Sequence, residues 1–320
     1  MTPTISFKSI LSGMAKLLVP TLLFIVTTSF LQGIVFFLLG IPFTDRLSYG
    51  SIPPLQNILI EAAGLIPVFT LFMVYKKKLA AGFNRIQTGR RYAIAFSRAF
   101  LFALLLITAC TLPILLFNGI DVYLNHSLEP INIGFTLVFF ILAALAEEVM
   151  CRVVFLGLLV EKYGEWNSLI ASSLLFMALH FLNPNVTLVA ATNLFLAGIL
   201  LGQVFLYSGK NLLFATIFHM CWNFAQGSLF GFSVSGMAIG QSLLIQQAPA
   251  GSAWSGKNFG LEGSVECTVV LILAISLLSW RQSKRAHSGT AQEPDTLLFT
   301  RGPEKAELAG RQYPQDRTLR

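Results

Sequence analysis

The 320-residue chain is short of charge: only 12% of its residues are Asp, Glu, Lys or Arg, about half the roughly 25% of an ordinary soluble domain. With 55% hydrophobic residues, that shortage excludes a soluble globule. Disorder is excluded as well, since 28 phenylalanines and a mean hydropathy of +0.70 represent too much apolar surface to stay solvated. Cysteine is scarce too. Cys110, Cys151, Cys221 and Cys267 all lie in hydrophobic runs or at their edges, so neither a disulfide framework nor a zinc-type spacing is indicated. No internal repeat is evident, and the His-Glu-x-x-His pattern of soluble metalloproteases is missing. The net charge of +7 comes from cations in loops and tails, so no basic face for nucleic acid is expected.

What the chain does have is long apolar runs. A helix needs about 20 apolar residues to cross a hydrocarbon core roughly 30 Å thick, and eight candidates occur: Leu17 to Leu39, Ile58 to Tyr75, Ala99 to Phe117, Ile131 to Val160, Ser168 to Leu182, Leu188 to Tyr207, Leu212 to Phe230, and Val265 to Trp280. Their length and continuity indicate helices rather than barrel strands. The expected fold is therefore an all-α polytopic membrane bundle. Lys and Arg concentrate between the second and third runs and after Trp280, whereas the alternate loops hold only Arg46 and Lys257. Positive charge stays inside, which places both termini in the cytoplasm. The first run lacks a small-residue cleavage site and reads as a retained anchor.

These runs divide the chain into an N-terminal transmembrane pair with a basic cytoplasmic loop (1–98), a core (99–280) with a long Gly-rich outer loop (231–264), and a disordered cytoplasmic tail (281–320). The loop is expected to be ordered.

Ionisable groups inside the spans need a reason, because each costs at least about 2.5–3.5 kcal/mol at a helix centre. Glu148 and Arg152, four residues apart, share a helix face and can pair. Glu147 is rotated by about 100° and stays free for another task. Two further helices bring His180 and the His219/Asn223 pair. At 1.5 Å per residue, Glu147, His180 and Asn223 fall about 20, 18 and 17 Å from the inner ends of their helices, and His219 about 11 Å. A carboxylate, two imidazoles and an amide near one level can enclose a wet pocket. Phe176 is read as a packing ring or pocket wall. Glu61 could line the same cavity, and Glu266 is read as interfacial. Asn193 and Gln203 are read as helix contacts, and Gly198 with Gly202 as a close-packing face. Cys221 is read as a structural thiol, since it points about 200° away from its His219 and Asn223 neighbours.

Glu147-Glu148-x-x-x-Arg152, Phe176-x-x-x-His180 and His219-x-x-x-Asn223, in this order on hydrophobic helices, resemble the three motifs of the CPBP group. This is the CAAX prenyl protease and bacteriocin-processing, or Abi, family of intramembrane endopeptidases. The resemblance covers about Ile131 to Phe230 and extends to the Asn183-Pro184-Asn185 turn and the stretch from Gly231 to Gly236. It implies peptide-bond hydrolysis inside a cell membrane, with the bilayer and a membrane-anchored peptide or protein as partners, and in character it looks like bacterial plasma-membrane members. By that resemblance Glu147 and His180 activate water, His219 and Asn223 stabilise the oxyanion, and Glu148 and Arg152 support them. The cofactor is either none or a divalent metal, in which case Glu147, His180 and His219 would ligate zinc. The residues permit both, and the metal-free version is the one adopted here as the expectation. A transporter, or a membrane protein that binds peptide without cleaving it, is the alternative use of the same buried charges.

Overall fold

A computed structural model describes residues 5–42, 52–80, 90–117, 120–247 and 256–287. Arg46, the loop tip at 248–255 and the tail beyond His287 lie outside these residues. The described chain is nearly all helical: α1 Phe7–Leu38, α2 Pro54–Tyr75, α3 Arg90–Phe117, α4 Pro130–Glu148, α5 Gly157–Tyr163, α6 Glu165–Leu179, α7 Leu188–Tyr207, α8 Leu212–Phe224 and α9 Val265–His287. Five segments combine the length and hydropathy of a membrane span: Phe7–Leu38, Pro54–Lys78, Phe96–Phe117, Leu188–Tyr207 and Val265–Lys284. The remaining three apolar runs are also helical. Each is interrupted: α4 passes through a π-helical stretch Val149–Leu156 into α5, α6 tightens into a 3₁₀ turn at His180–Leu182, and α8 runs into a second π-helical stretch, Ala225–Leu229.

Helix ends depart from the hydropathy limits where local chemistry carries the backbone further. α1 starts ten residues before Leu17 because Ser6 caps it, its hydroxyl accepting from the Ser9 amide at 3.4 Å. Lys16 then donates from Nζ to the Leu158 carbonyl at 3.0 Å. α9 likewise continues past Trp280 to His287, so the first residues assigned to the tail are helical. Pro20, Pro67 and Pro113 sit inside helices, as membrane helices tolerate.

α4 packs against α2 and α8, α7 against α6 and α9, and α3 against α8 and α9. The α6–α7 contact is closest at Gly198 and Gly202. A Cβ added to Gly198 would lie 2.9 Å from Ser173 Cβ and 3.0 Å from its Cα, and one on Gly202 would lie 2.1 Å from Leu169 Cδ1. Gly198→Ala is therefore expected to destabilise the protein by about 1–3 kcal/mol, the usual cost of overpacking. The control is Gly134→Ala on α4, where an added Cβ meets nothing within 4 Å. Thermal unfolding in detergent should separate the two variants, and equal midpoints would contradict the close α6–α7 contact.

A small antiparallel ribbon and an isolated bridge between Val234 and Met237 depart from an all-α bundle among the described residues. β1 Asp121–Leu124 pairs with β2 Leu244–Gln247 in the register Asp121↔Gln247 to Leu124↔Leu244. It ties the Gly-rich loop to the bundle, helped by Asn125 Nδ2 donating to the Ser242 carbonyl at 2.9 Å and the Leu243 amide donating to the Ser228 carbonyl at 2.7 Å. The described part of this loop is thus ordered.

Candidate active site

The three motif segments meet at one place. Glu147 Oε2 lies 3.9 Å from His180 Nε2 and 3.8 Å from His219 Nε2. Both separations exceed the 2.7–3.2 Å of a direct N–H···O bond, so a bridging group has room. Glu147 Oε2 is buried and has no hydrogen-bond partner among the described residues. Such an orphan is expensive to keep unless something polar occupies the gap.

The helix geometry explains the division of labour between the adjacent glutamates. Glu148 is fully buried and points away from Glu147, taking Arg152 Nε at 3.2 Å on Oε2 and His219 Nδ1 at 2.9 Å on Oε1. Arg152 is 1% exposed. Its guanidinium is within ion-pair distance of Glu148 without hydrogen-bond alignment, and it lies 4.9 Å from the Phe176 ring centroid. The ring is both packing and pocket wall: it is buried, lies 4.5 Å from the His180 ring centroid and faces His219 edge-on. The π-helical stretches begin one residue after Glu148 and two after Asn223. Segments of this kind often mark functional sites, and no hydropathy pattern reveals them.

Tautomers follow from the fixed partners. His180 Nδ1 is 2.8 Å from the Phe176 carbonyl; a carbonyl only accepts, so Nδ1 carries the hydrogen and Nε2 presents a lone pair in the neutral ring. His219 Nδ1 likewise donates to Glu148. With both rings neutral, three acceptors converge: Glu147 Oε2 lies 3.9 Å from His180 Nε2 and 3.8 Å from His219 Nε2. A water between Glu147 and His180 can donate one hydrogen to each.

Two spaces that share Glu147, Phe176, His180, Asn223 and Ser235 in their linings surround these atoms. A chamber of about 30 Å³ is bounded by Glu147, His180, His219, Asn223 and Glu262, which is room for one or two waters. A larger cavity of about 260 Å³ is lined by Glu61, Glu147, His180, Asn223 and Ser235 and by apolar side chains of α1, α4 and α6. Asn223 is 7% exposed, borders both spaces and makes no side-chain hydrogen bond among the described residues.

The two Glu147–imidazole separations are wider than those of a closed tetrahedral zinc set. Bonds of 2.0–2.1 Å in a tetrahedron put donors about 3.4 Å apart, whereas Glu147 stands 3.8–3.9 Å from both imidazoles. Among the described residues no group of three or more His, Cys, Asp and Glu could hold a metal.

The sequence reading missed the support behind the site. Ser235 adopts φ +48° and Gly236 φ +87°, a left-handed turn that Ser235 enters at some cost. Glu262 holds it there, accepting from the Ser235 amide at 2.7 Å, the Ser235 hydroxyl at 3.0 Å and Gln226 Nε2 at 3.4 Å. Asn183 closes the other side, donating from Nδ2 to the Ser235 carbonyl at 2.9 Å. The only signal for Glu262 was a lone acid in a Gly-rich stretch just before an apolar run. Gln203 donates to Ser279 of α9, and Asn193 accepts from the Thr268 hydroxyl of α9 while donating to the Glu262 and Ser264 carbonyls just before it. All four cysteines are buried and free, and Cys221 donates to the Phe100 carbonyl.

Residues 129–225 match the family model described as type II CAAX prenyl endopeptidase Rce1-like. This segment is an Rce1-like domain of the CPBP family. No curated protein matches the chain. The Rce1-like domain contains every motif residue from Glu147 to Asn223. It leaves out α1 and α2, and also the loop that carries Ser235 and Glu262. The Rce1-like family is a family of peptidases, and the apolar helices make the chain a membrane protein.

Proposed function

We propose that this protein is an intramembrane endopeptidase that hydrolyses a peptide bond with water activated by Glu147 and His180, without a metal. The observation that carries the reading is the water-sized chamber bounded by Glu147, His180, His219 and Asn223. In this scheme the chamber water donates to Glu147 Oε2 and His180 Nε2, leaving a lone pair directed at a carbonyl in the larger cavity. Glu147 takes the proton as the oxygen attacks, and returns it to the amide nitrogen as the C–N bond breaks. Water and peptide thus become one carboxylic acid and one amine. Asn223 Nδ2 donates to the tetrahedral oxyanion, and His219 does so from Nε2 when it carries a second proton, with Glu148 holding its other nitrogen. One preorganised donor of this kind contributes about 2.7–4 kcal/mol.

The substrate enters extended. A helical segment hides its carbonyls in its own hydrogen bonds, so the scissile carbonyl is reachable only in an extended segment. Eight spans with both ends cytoplasmic complete the proposal, supported by the distribution of Lys and Arg.

The test is purified protein in liposomes, mixed with membrane-anchored peptides in ¹⁸O-labelled water and read by mass spectrometry. The expected result is one heavy oxygen in the new carboxyl terminus, turnover that persists in chelator, and no product with His180→Ala. Turnover retained in that variant, or abolished by chelator and restored by zinc, would overturn the mechanism.

A further inference from the structure

Across the larger cavity from Glu147 stands a second carboxylate that the hydrolysis does not use. Glu61 of α2 lines this space together with Thr28 and Gln32 of α1, all outside the Rce1-like domain. Among the described residues Glu61 has no hydrogen bond or ion pair, and it shares the lining of this cavity with Glu147. Gln32 reaches the cavity because α2 has a glycine opposite: a Cβ on Gly64 would lie 3.1 Å from Gln32 Nε2. Thr28 Oγ1 is buried without a partner among the described residues. Asn223, nine-tenths buried and unpartnered among them, opens onto the same space. No described Lys or Arg lines it, and Arg152 is committed to Glu148.

An ionisable side chain inside a membrane helix carries a cost that a purely packing role does not require. Here the wall is built to receive something that brings hydrogen-bond donors and positive charge. Resting on the peptidase reading, we infer that Glu61, with Gln32 and Thr28, forms a specificity subsite for a Lys or Arg side chain near the scissile bond of the substrate. The cation pairs with Glu61, leaving Glu147 to the water, while the Thr28 hydroxyl and the Gln32 amide oxygen meet the peptide backbone; Gln32 Nε2 itself donates to the Ile60 carbonyl at 3.4 Å. Close charge pairs across an interface couple strongly enough to set preference by an order of magnitude or more.

The test uses membrane-anchored peptides identical except for Lys, Gln or Leu at each position flanking the cleavage site. Cleavage is measured with wild type and Glu61→Gln, and binding with Glu147→Gln and the Glu61→Gln/Glu147→Gln double variant. The expected wild-type preference for Lys over Leu at one position is roughly tenfold or more in kcat/KM. It should collapse to near unity in Glu61→Gln while the Leu peptide is still cut at its wild-type rate. Glu61→Lys should make the Lys peptide the slowest of the three. Equal rates for the three peptides, or a uniform loss in Glu61→Gln, would overturn the subsite and leave the peptidase standing. Lys-selective binding that depends on Glu61, without cleavage of any peptide, would keep the subsite and remove the peptidase. Neither binding nor cleavage would remove both.

Discussion

Glu147→Gln is expected to lower peptide cleavage by about 10²–10⁴-fold, the range for a lost general base, while the protein inserts and unfolds like the wild type. The two halves of this expectation come from the same geometry. Glutamine keeps the volume and one carbonyl oxygen, so the chamber and its water can survive, but an amide cannot take the proton of the attacking water. Stability is spared because the Glu147 side chain is 30% exposed to the cavity and its Oε2 bonds to no described residue. Measurement is by initial rate on any peptide the wild type cuts, with thermal unfolding in detergent as the control. A loss of less than tenfold would assign the proton to another group, with His180 next in line. Loss of folding together with rate would instead make Glu147 a structural residue.

The motif residues could be read from the sequence because helical spacing is a strong constraint. Four-residue separation put Glu148 beside Arg152, and a 100° step turned Glu147 elsewhere, as the 3.2 Å ion pair and the cavity-facing carboxylate now show. Depth counting set His219 about a turn below its partners, yet it lies as near to Glu147 as His180 does. The cause is local: straight-helix arithmetic ignores the π-helical stretch Val149–Leu156, which lies between Glu147 and the inner end of its run, and it counts backbone rise without the reach of the side chains. The role of Glu148 on His219 Nδ1 was invisible for a similar reason, since spacing orders residues within a helix and says nothing about which neighbour faces them. The Ser235–Glu262 clasp was least legible. It depends on a left-handed turn and on contacts between segments 27 residues apart in a loop, where no periodicity operates.

The buried pair behind the site carries the largest expected effect on folding. Arg152→Ala should destabilise the protein by about 3–5 kcal/mol, because it strands a charge whose partner was its main compensation. Glu148 is 0% exposed, and without Arg152 it keeps only His219 Nδ1. The variant also removes the cation from the Phe176 face and leaves a void where one of the largest fully buried side chains stood. The double variant Glu148→Gln/Arg152→Met discriminates stability from chemistry. Removing both charges in similar volume should recover most of the folding free energy, since the carbonyl oxygen of the substituted amide can still accept from the imidazole. Activity should stay about 10–100-fold down, less than the roughly 10²–10³-fold loss of a whole oxyanion donor, because a neutral amide does not support a cationic His219 against the oxyanion. Unfolding midpoints and kcat on the same preparations give both readings. If Arg152→Ala proves as stable as wild type, the ion pair is not what holds these helices together. If the double variant recovers full kcat along with stability, Glu148 acts on packing alone and His219 needs no carboxylate behind it.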